Sequence, residues 1–298
     1  MNLKTVKKRI KGFIPEPIKS TLRPVTKLRK RVQRKLKVEY YIANAKLRPS
    51  KAVYYCPCCN HKLTKFVDGK YIERNEYFNP IRYANTEQKV QCPVCRTIPR
   101  HRILALYFQK HINELKNKRI LYFAEEFGIQ LWMKRHEIHP TTADLYVPAN
   151  LKLNIEDTQL PDNSWDWIIC NHVLEHVNDY QKALRELYRI LSPNGTLIIS
   201  FPILSALPTL IEEGQEGREV PENETEEERR SRRLQNFGQA DHLRIFGADS
   251  AKILSSTGFK VSVINGEKMP KEILPITGPA DYDVNYLFVC KKPEQQNL

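Results

Sequence analysis

The stretch LPDNSWDWIICNHVLEHV (160–177), continued by DYQKALRELYRILSPNGTLIISFPI (179–203), decides the fold. The apolar run Trp167 to Cys170 ends in the polar pair Asn171-His172, as a buried strand does on meeting a loop. Ala183, Leu184, Leu187, Tyr188 and Leu191 then recur at helical steps of three and four. Pro193-Asn194-Gly195 reads as a turn and Thr196 to Phe201 as a second apolar strand. This is a β-α-β unit, whose crossover places its two strands parallel. Ligands of an open parallel sheet sit beyond the carboxyl ends of its strands. Asn171, His172, Glu175 and His176 therefore stand where a cofactor or substrate belongs.

The same alternation continues on both sides. Upstream it gives a strand at Arg119 to Ala124, a helix at Phe127 to Arg135, and strands at Thr141 to Leu145, Leu151 to Ile155 and Asp166 to Asn171. Downstream it gives a helix at Asp249 to Ser256 and strands at Lys260 to Ile264 and Tyr286 to Cys290. The expectation is an α/β fold over 101–298, a doubly wound, Rossmann-like sheet of seven strands. A charged, lid-like insertion, 206–242, interrupts it after the fifth strand. Asp144, closing the second strand, is the natural partner of ribose hydroxyls. Asp157, after the third, either meets an adenine amino group or starts the turn before Leu160-Pro161-Asp162. The first loop holds Ala124, Glu125 and Gly128, a single glycine where nucleotide-binding loops carry G-x-G.

Charge is unevenly placed. Residues 1–51 hold 17 Lys/Arg and two acids, and the rest of the chain has 31 basic and 32 acidic residues. The net charge of +14 thus belongs to an arm, and the body is neutral. That argues against a nucleic-acid-binding body, which would spread positive charge over its folded surface. In the arm, Val25, Leu28, Val32 and Leu36 form a narrow apolar stripe among basic residues, and Leu3, Val6, Ile10 and Phe13 form an earlier one. Such a helix suits an anionic membrane surface or a membrane-bound assembly, RNA phosphates, or docking on the body. Pro15, Pro17 and Pro24 are expected to divide it. No apolar run reaches bilayer-spanning length and no signal peptide is evident, which favours a cytoplasmic protein, peripheral at the inner membrane face if the arm binds lipid.

Between arm and sheet, at 52–100, lie Cys56-Pro-Cys-Cys59 and Cys92-Pro-Val-Cys95, two C-x-x-C pairs with 32 residues between them. Each knuckle delivers two thiolates, and two knuckles complete a tetrahedral zinc shell. The intervening pieces Lys65 to Val67 and Lys70 to Ile72 suit the strands of a zinc ribbon. Two disulfides or four unrelated buried thiols are the alternatives, the disulfides disfavoured in a reducing compartment. The spacing selects Cys56, Cys59, Cys92 and Cys95, leaving Cys58 and His61 spare; the metal would be structural.

The quoted central stretch resembles the fourth and fifth motifs of class I S-adenosylmethionine (SAM)-dependent methyltransferases. The chain is similar to one branch of them in its C-P-x-C modules, Arg100-His101-Arg102, Phe123-Ala124-Glu125-Glu126, Thr142-Ala143-Asp144-Leu145, 171–177 and 238–247. Glu125 stands where that branch has proline. The resemblance implies methyl transfer from SAM, with Ala124, Glu125, Gly128, Asp144, Asp157, Asn171 and His172 at the cofactor. Members of the branch are associated with glycan or cell-envelope assembly, so the implied acceptor is a small molecule or glycan. A hydroxyl acceptor benefits from a general base; His172 and His242 are the candidates, His176 a weaker one. Glu175, His176, Asp241, His242 and Arg244 are expected at the substrate, Arg244 as a bidentate anion clamp. Residues 212–233 read as a solvated charge run in which Arg229, Arg230, Arg232 and Arg233 pair with Glu226 to Glu228. Two other functions compete: an RNA base methyltransferase carrying a zinc module, and a non-catalytic module on the same fold.

Overall fold

The computed structural model describes residues 16–67, 90–204, 207–215, 223–237, 239–273 and 286–294. Its arm is one helix, α1 (Glu16–Leu47). The expected division at proline does not occur within it. Pro17 occupies the first turn, where the missing amide needs no acceptor, and the helix runs through Pro24 with the loss of one backbone bond. Leu28, Val32, Leu36 and Tyr40 are exposed, whereas Tyr41 and Ala45 are buried. Asn44 Nδ2 donates to Thr64 Oγ1 at 3.3 Å. Among its described side chains, those of the last turns of α1 dock on the body. Leu3, Val6, Ile10, Phe13 and Pro15 lie outside the described residues, as does the side chain of Val25.

The cysteine module is the antiparallel hairpin β1 (Tyr54–Cys56) and β2 (His61–Leu63), joined through the first knuckle, plus a bridge between Val67 and Gln91. The strand expected at Lys70 to Ile72 lies outside the described residues. Helix α2 (Pro99–Lys110) follows, with proline in its first turn. The buried Arg102 donates to the carbonyls of Val90, Thr97 and Ile273, and its guanidinium lies 4.2 Å from the centroid of Phe66. This side chain helps bind the module to the large domain, as does Arg135, whose Nη1 donates to Cys58 O at 3.0 Å.

That domain contains β3 (Ile120–Phe123), α3 (Phe127–Arg135), β4 (Thr141–Asp144), β5 (Leu151–Lys152), β6 (Trp165–Asn171), α4 (Tyr180–Ile190) and β7 (Leu191–Ser200). Next come β8 (Ile211–Glu212), α5 (Glu226–Phe237), β9 (Arg244–Ile245), α6 (Ser250–Ser256), β10 (Lys260–Asn265) and β11 (Tyr286–Lys291). The sheet order is β10-β11-β7-β6-β3-β4-β5, seven strands as expected. β11 is the antiparallel member, and strand order reverses between β3 and β6. Successive strand residues face opposite sides. Ile120 and Tyr122 join Phe108 and Trp132 in one core; Leu121 and Phe123 join Leu184, Leu187 and Leu254 in the other. Apolar layers on both faces are what a mostly parallel sheet requires.

Three local readings change. Pro193-Asn194-Gly195 is no separate turn: β7 starts at Leu191, and its register to β6 slips between Trp165↔Leu191 and Trp167↔Thr196. Asn194 is left-handed at φ 60°, and Lys292 Nζ holds the segment by donating to the carbonyls of Tyr188 and Leu191. β5 is only two residues long, because Asn154 and Asp157 bridge to each other instead of extending it. In the insertion, Arg232 pairs with Glu213 and Glu224, and Arg233 with Glu213, while Arg229 reaches Glu226 and Glu224. The charges fasten α5 to the β8 end of the insertion.

Candidate functional site

The carboxyl ends of β3 and β4 open on a cleft of about 340 Å³, lined by Ala124, Glu125, Phe127, Asp144 and Val147 among others. The chain leaves β3 through Ala124, whose φ is +49°. A left-handed alanine costs about 1–2 kcal/mol. Its amide donates to Ala143 O at 2.9 Å, which fixes this sharp exit without a glycine. At the end of β4, Asp144 Oδ1 accepts the amides of Tyr146 and Val147, both at 2.8 Å. That turn shapes one wall of the cleft and occupies a single carboxylate oxygen. Glu125 accepts from Gln130 Nε2 at 3.0 Å, and burial pushes its carboxyl up.

Two residues assigned to the cofactor are not among those lining this cleft. Gly128, inside α3, is buried against Thr97 of the cysteine module and leaves no room there for a β-carbon. Its need for a small residue is one of packing. Asp157 is exposed beyond β5 and takes the side chain of Gln159 on its carboxylate. It serves the turn.

A second cluster, at the start of α2 and α3, was not anticipated. Glu126 accepts from Arg100 Nη2 at 2.8 Å and from His101 Nε2 at 2.9 Å. His101 Nδ1 accepts the amide of Ile98 at 3.1 Å, so the proton on Nε2 points at Glu126. Burial opposes ionisation of Glu126, but His101 and Arg100 outweigh it and hold the carboxyl well below its usual range. Arg100 and Glu126 share a narrow crevice with Asn171 and Ser200. The sequence offered one signal, Arg100-His101-Arg102, legible only as resemblance. Asn171 is buried; its Oδ1 accepts from Ser200 Oγ at 2.8 Å, while Nδ2 has no partner among the described residues.

Beyond β6 the loop 172–177 meets the end of the insertion. His172 is left-handed at φ +54° and its amide donates to Ser200 O at 2.7 Å. His172 Nδ1 lies 3.1 Å from Glu175 Oε1. Glu175 is 1% exposed, and burial is outweighed by His172, then by His176 and His242, which hold its carboxyl down. The amide of Leu243 donates to Glu175 O at 2.8 Å, bringing His242 over the loop. The rings of His176 and His242 meet edge to face, centroids 4.8 Å apart. Burial pushes His242 down, so its imidazole is neutral at pH 7. Asp241 is exposed, with His176 Nδ1 at 3.2 Å from its carbonyl and 3.4 Å from its carboxylate. Glu175, His176, Asp241 and His242 are thus brought together.

Arg244 is not open to an anion. It is 2% exposed and donates to the carbonyls of Leu174, Val177 and Asn178 and to Glu212. With every terminal nitrogen engaged, the guanidinium locks the 174–178 loop to the β8–β9 ribbon.

The four expected cysteines converge. Cys56 Sγ lies 3.6 Å from Cys95 Sγ, and Cys59 Sγ lies 3.7 Å from Cys92 Sγ. All seven cysteines are free thiols, so the disulfide alternative fails. Metal–sulfur bonds of about 2.3 Å in a tetrahedron set sulfurs about 3.8 Å apart, which these spacings match. Thr97 Oγ1 contacts Cys56 and Cys95 at 3.3 and 3.1 Å, an outer partner for the cluster. Cys58 Sγ points to His101 O and His61 to Cys59 O, so neither completes the tetrahedron.

Comparison with known proteins falls on the same region. A family model described as a methyltransferase domain matches residues 125–199. The chain is 40% identical over 57 residues to the demethylmenaquinone methyltransferase of Listeria monocytogenes, covering 19% of this chain and 24% of that one. It is 40% identical over 63 residues to the ubiquinone/menaquinone biosynthesis C-methyltransferase UbiE of Vibrio cholerae, covering 20% and 24%. The match spans about a quarter of the length of these curated relatives. A SAM-dependent methyltransferase structure from Archaeoglobus fulgidus aligns at 16% identity and a TM-score of 0.41, over 64% of this chain and 94% of that one. Residues 125–199, set in the seven-stranded doubly wound sheet, thus match a methyltransferase-domain model.

Proposed function

We propose that the protein transfers a methyl group from SAM to a small-molecule or glycan acceptor. One observation carries this reading: the methyltransferase-domain match, 125–199, begins at the exit of β3 and includes β4, and these two strands end in a cleft holding Asp144, at the rim where such sheets bind nucleosides. Bound SAM would supply the methyl on a sulfonium, itself a good leaving system. The work left to the chain is to position the acceptor and to take its proton. Asp144 has a carboxylate oxygen for ribose hydroxyls, and Ala124 lets the backbone approach. His172 fits the role of base. With Nδ1–H given to Glu175, Nε2 keeps its lone pair and is buried without a partner among the described residues. A positioned base contributes about 10²–10⁴-fold. The named relatives act in quinone pathways, which favours a small hydroxylated or enolic acceptor over RNA, as does the neutral body.

The same reading gives the four-cysteine cluster a structural zinc ion. It also places α1 on an anionic membrane face, where the exposed Leu28, Val32, Leu36 and Tyr40 would sink among headgroups and the basic residues would meet phosphates. No described helix is long and apolar enough to cross a membrane. Calorimetric titration with S-adenosylhomocysteine, followed by label transfer from methyl-labelled SAM to fractionated cell extract, tests the central proposal. No binding at millimolar nucleoside would end it.

A further inference from the structure

We infer that Glu175, His176 and His242 form a second metal site, separate from the cysteine cluster, that takes a divalent first-row transition metal ion. Their donor atoms lie within 4.8 Å of one another. Glu175 Oε2 and His242 Nε2 are buried without a hydrogen-bond partner among the described residues, in side chains 1% and 3% exposed. A buried carboxylate oxygen and a buried imidazole lone pair left open are each costly. Two of them meeting beside a third donor suggests an absent partner that is positively charged.

The hydrogen bonds around the cluster are those of metal ligands. His242 Nδ1 is 2.8 Å from Phe237 O. A carbonyl only accepts, so the proton is on Nδ1 and Nε2 is the free base. His176 Nδ1 is 3.2 Å from Asp241 O, which sets the same tautomer. Glu175 gives its other oxygen, Oε1, to His172. Ligating histidines characteristically donate their second nitrogen to a carbonyl or carboxylate, and ligating carboxylates are themselves hydrogen-bonded. Two imidazoles and one carboxylate suit zinc, iron, manganese or cobalt and leave coordination positions open. Bonds of about 2.1 Å bring such donors to roughly 3–3.4 Å from one another. Closure by up to about 1.5 Å is therefore needed, and His176, a third exposed, has the room to supply it.

The site is joined to the base His172 by one hydrogen bond through Glu175, and its open coordination positions are left for a further ligand. An oxygen-bearing acceptor, hydroxyl or enolic, is the ligand class they fit, and a bound ion eases loss of its proton. This use of the site rests on the methyl transfer proposed above; the metal site itself does not.

The test uses full-length, untagged, zinc-replete protein titrated with Co²⁺, followed by visible absorption and calorimetry. The wild type should take one equivalent of cobalt beyond its zinc. His176→Ala should weaken that binding at least about tenfold. Because His176 is partly exposed, this variant and His176→Gln should fold even if the buried Glu175→Gln or His242→Ala does not. Absence of a cobalt equivalent in the wild type, or wild-type affinity in both His176 variants, would overturn the site. S-adenosylhomocysteine is titrated separately into wild type. If it fails to bind while cobalt binds, the methyl-transfer reading falls and the metal site stands.

Discussion

Gly128 and Thr97 are packed so closely that a methyl group on the first would overlap the methyl of the second. The contact joins α3 of the sheet domain to the residue whose hydroxyl touches Cys56 and Cys95. In an open helix, Gly→Ala stabilises by roughly 1 kcal/mol. Here overpacking costs about 1–3 kcal/mol, so Gly128→Ala should lower stability by about 1–2 kcal/mol. Thr97→Ser removes the offending methyl and keeps the hydroxyl, so it should restore most of the loss in the double variant. Urea unfolding of the four proteins checks this. A Gly128→Ala protein as stable as wild type would show that the contact is not tight.

Asp144 holds the β4 turn with one oxygen, and the other is the one proposed for a ribose; a substitution can separate the two. Asp144→Asn keeps an oxygen for the amides of Tyr146 and Val147 and loses the acceptor offered to a ribose. Thermal stability should stay within about 0.5 kcal/mol of wild type. Affinity for S-adenosylhomocysteine should fall at least tenfold, about 1.4 kcal/mol. Unchanged affinity, measured calorimetrically, would move the nucleoside away from β4.

The sheet was legible because two periodicities were clean. Alternating and continuous apolar runs marked the seven strands, and α3 was found residue for residue. Failures came where geometry depends on partners distant in sequence. Lys292 turns Pro193-Asn194-Gly195 into a bulge from nearly a hundred residues away. Arg244 carried the right chemistry for an anion clamp, but carbonyls of the 174–178 loop consume its donors. Gly128 was the loop's single glycine and so looked like a cofactor residue, when its neighbour in space is Thr97. Glu126 gave no signal beyond standing next to Glu125, since what distinguishes it is Arg100 and His101 folding back from α2.

Removal of the zinc proposed for the cysteine cluster should loosen the module's grip on the sheet. The cysteine sulfurs, Thr97 and Arg102 lie in one buried core with Phe108 and Trp132. A strong chelator should therefore lower the melting temperature and expose Cys56, Cys59, Cys92 and Cys95 to a thiol reagent together. Exposure of none, with melting unchanged, would show that the cluster holds no structural ion.

Glu186 predicts an acid-labile anchor. It accepts from the amide and hydroxyl of Thr158 and from Arg189, tying the loop after β5 to α4. The hydrogen bond from Arg189 leads in pulling its carboxyl from the ordinary 4.5 down to about 2. A folded-state value below the unfolded one gives stability that is complete above the unfolded value and is lost as pH falls towards 2. The shift corresponds to roughly 3 kcal/mol at most. Arg189 is 35% exposed, so screening reduces this to about 1–2 kcal/mol. Glu186→Gln should therefore cost about 1–2 kcal/mol at pH 7, and the gap to wild type should close between about pH 5 and 2. A gap that stayed constant across that range would mean the anchor is not ionic.

Ala124 holds a conformation that glycine adopts freely, at the exit of β3 where the cleft begins. Replacing it by glycine relieves about 1–2 kcal/mol of backbone strain and adds about 0.4–1 kcal/mol of unfolded-state freedom. Ala124→Gly should be neutral or stabilising by up to about 1 kcal/mol and should bind S-adenosylhomocysteine as the wild type does. Ala124→Val should cost at least about 2 kcal/mol, because a β-branched residue resists positive φ still more strongly. If the glycine variant proved less stable than wild type by more than about 1 kcal/mol, the turn would owe its shape to the alanine methyl, and strain at the rim would have no part in shaping the site.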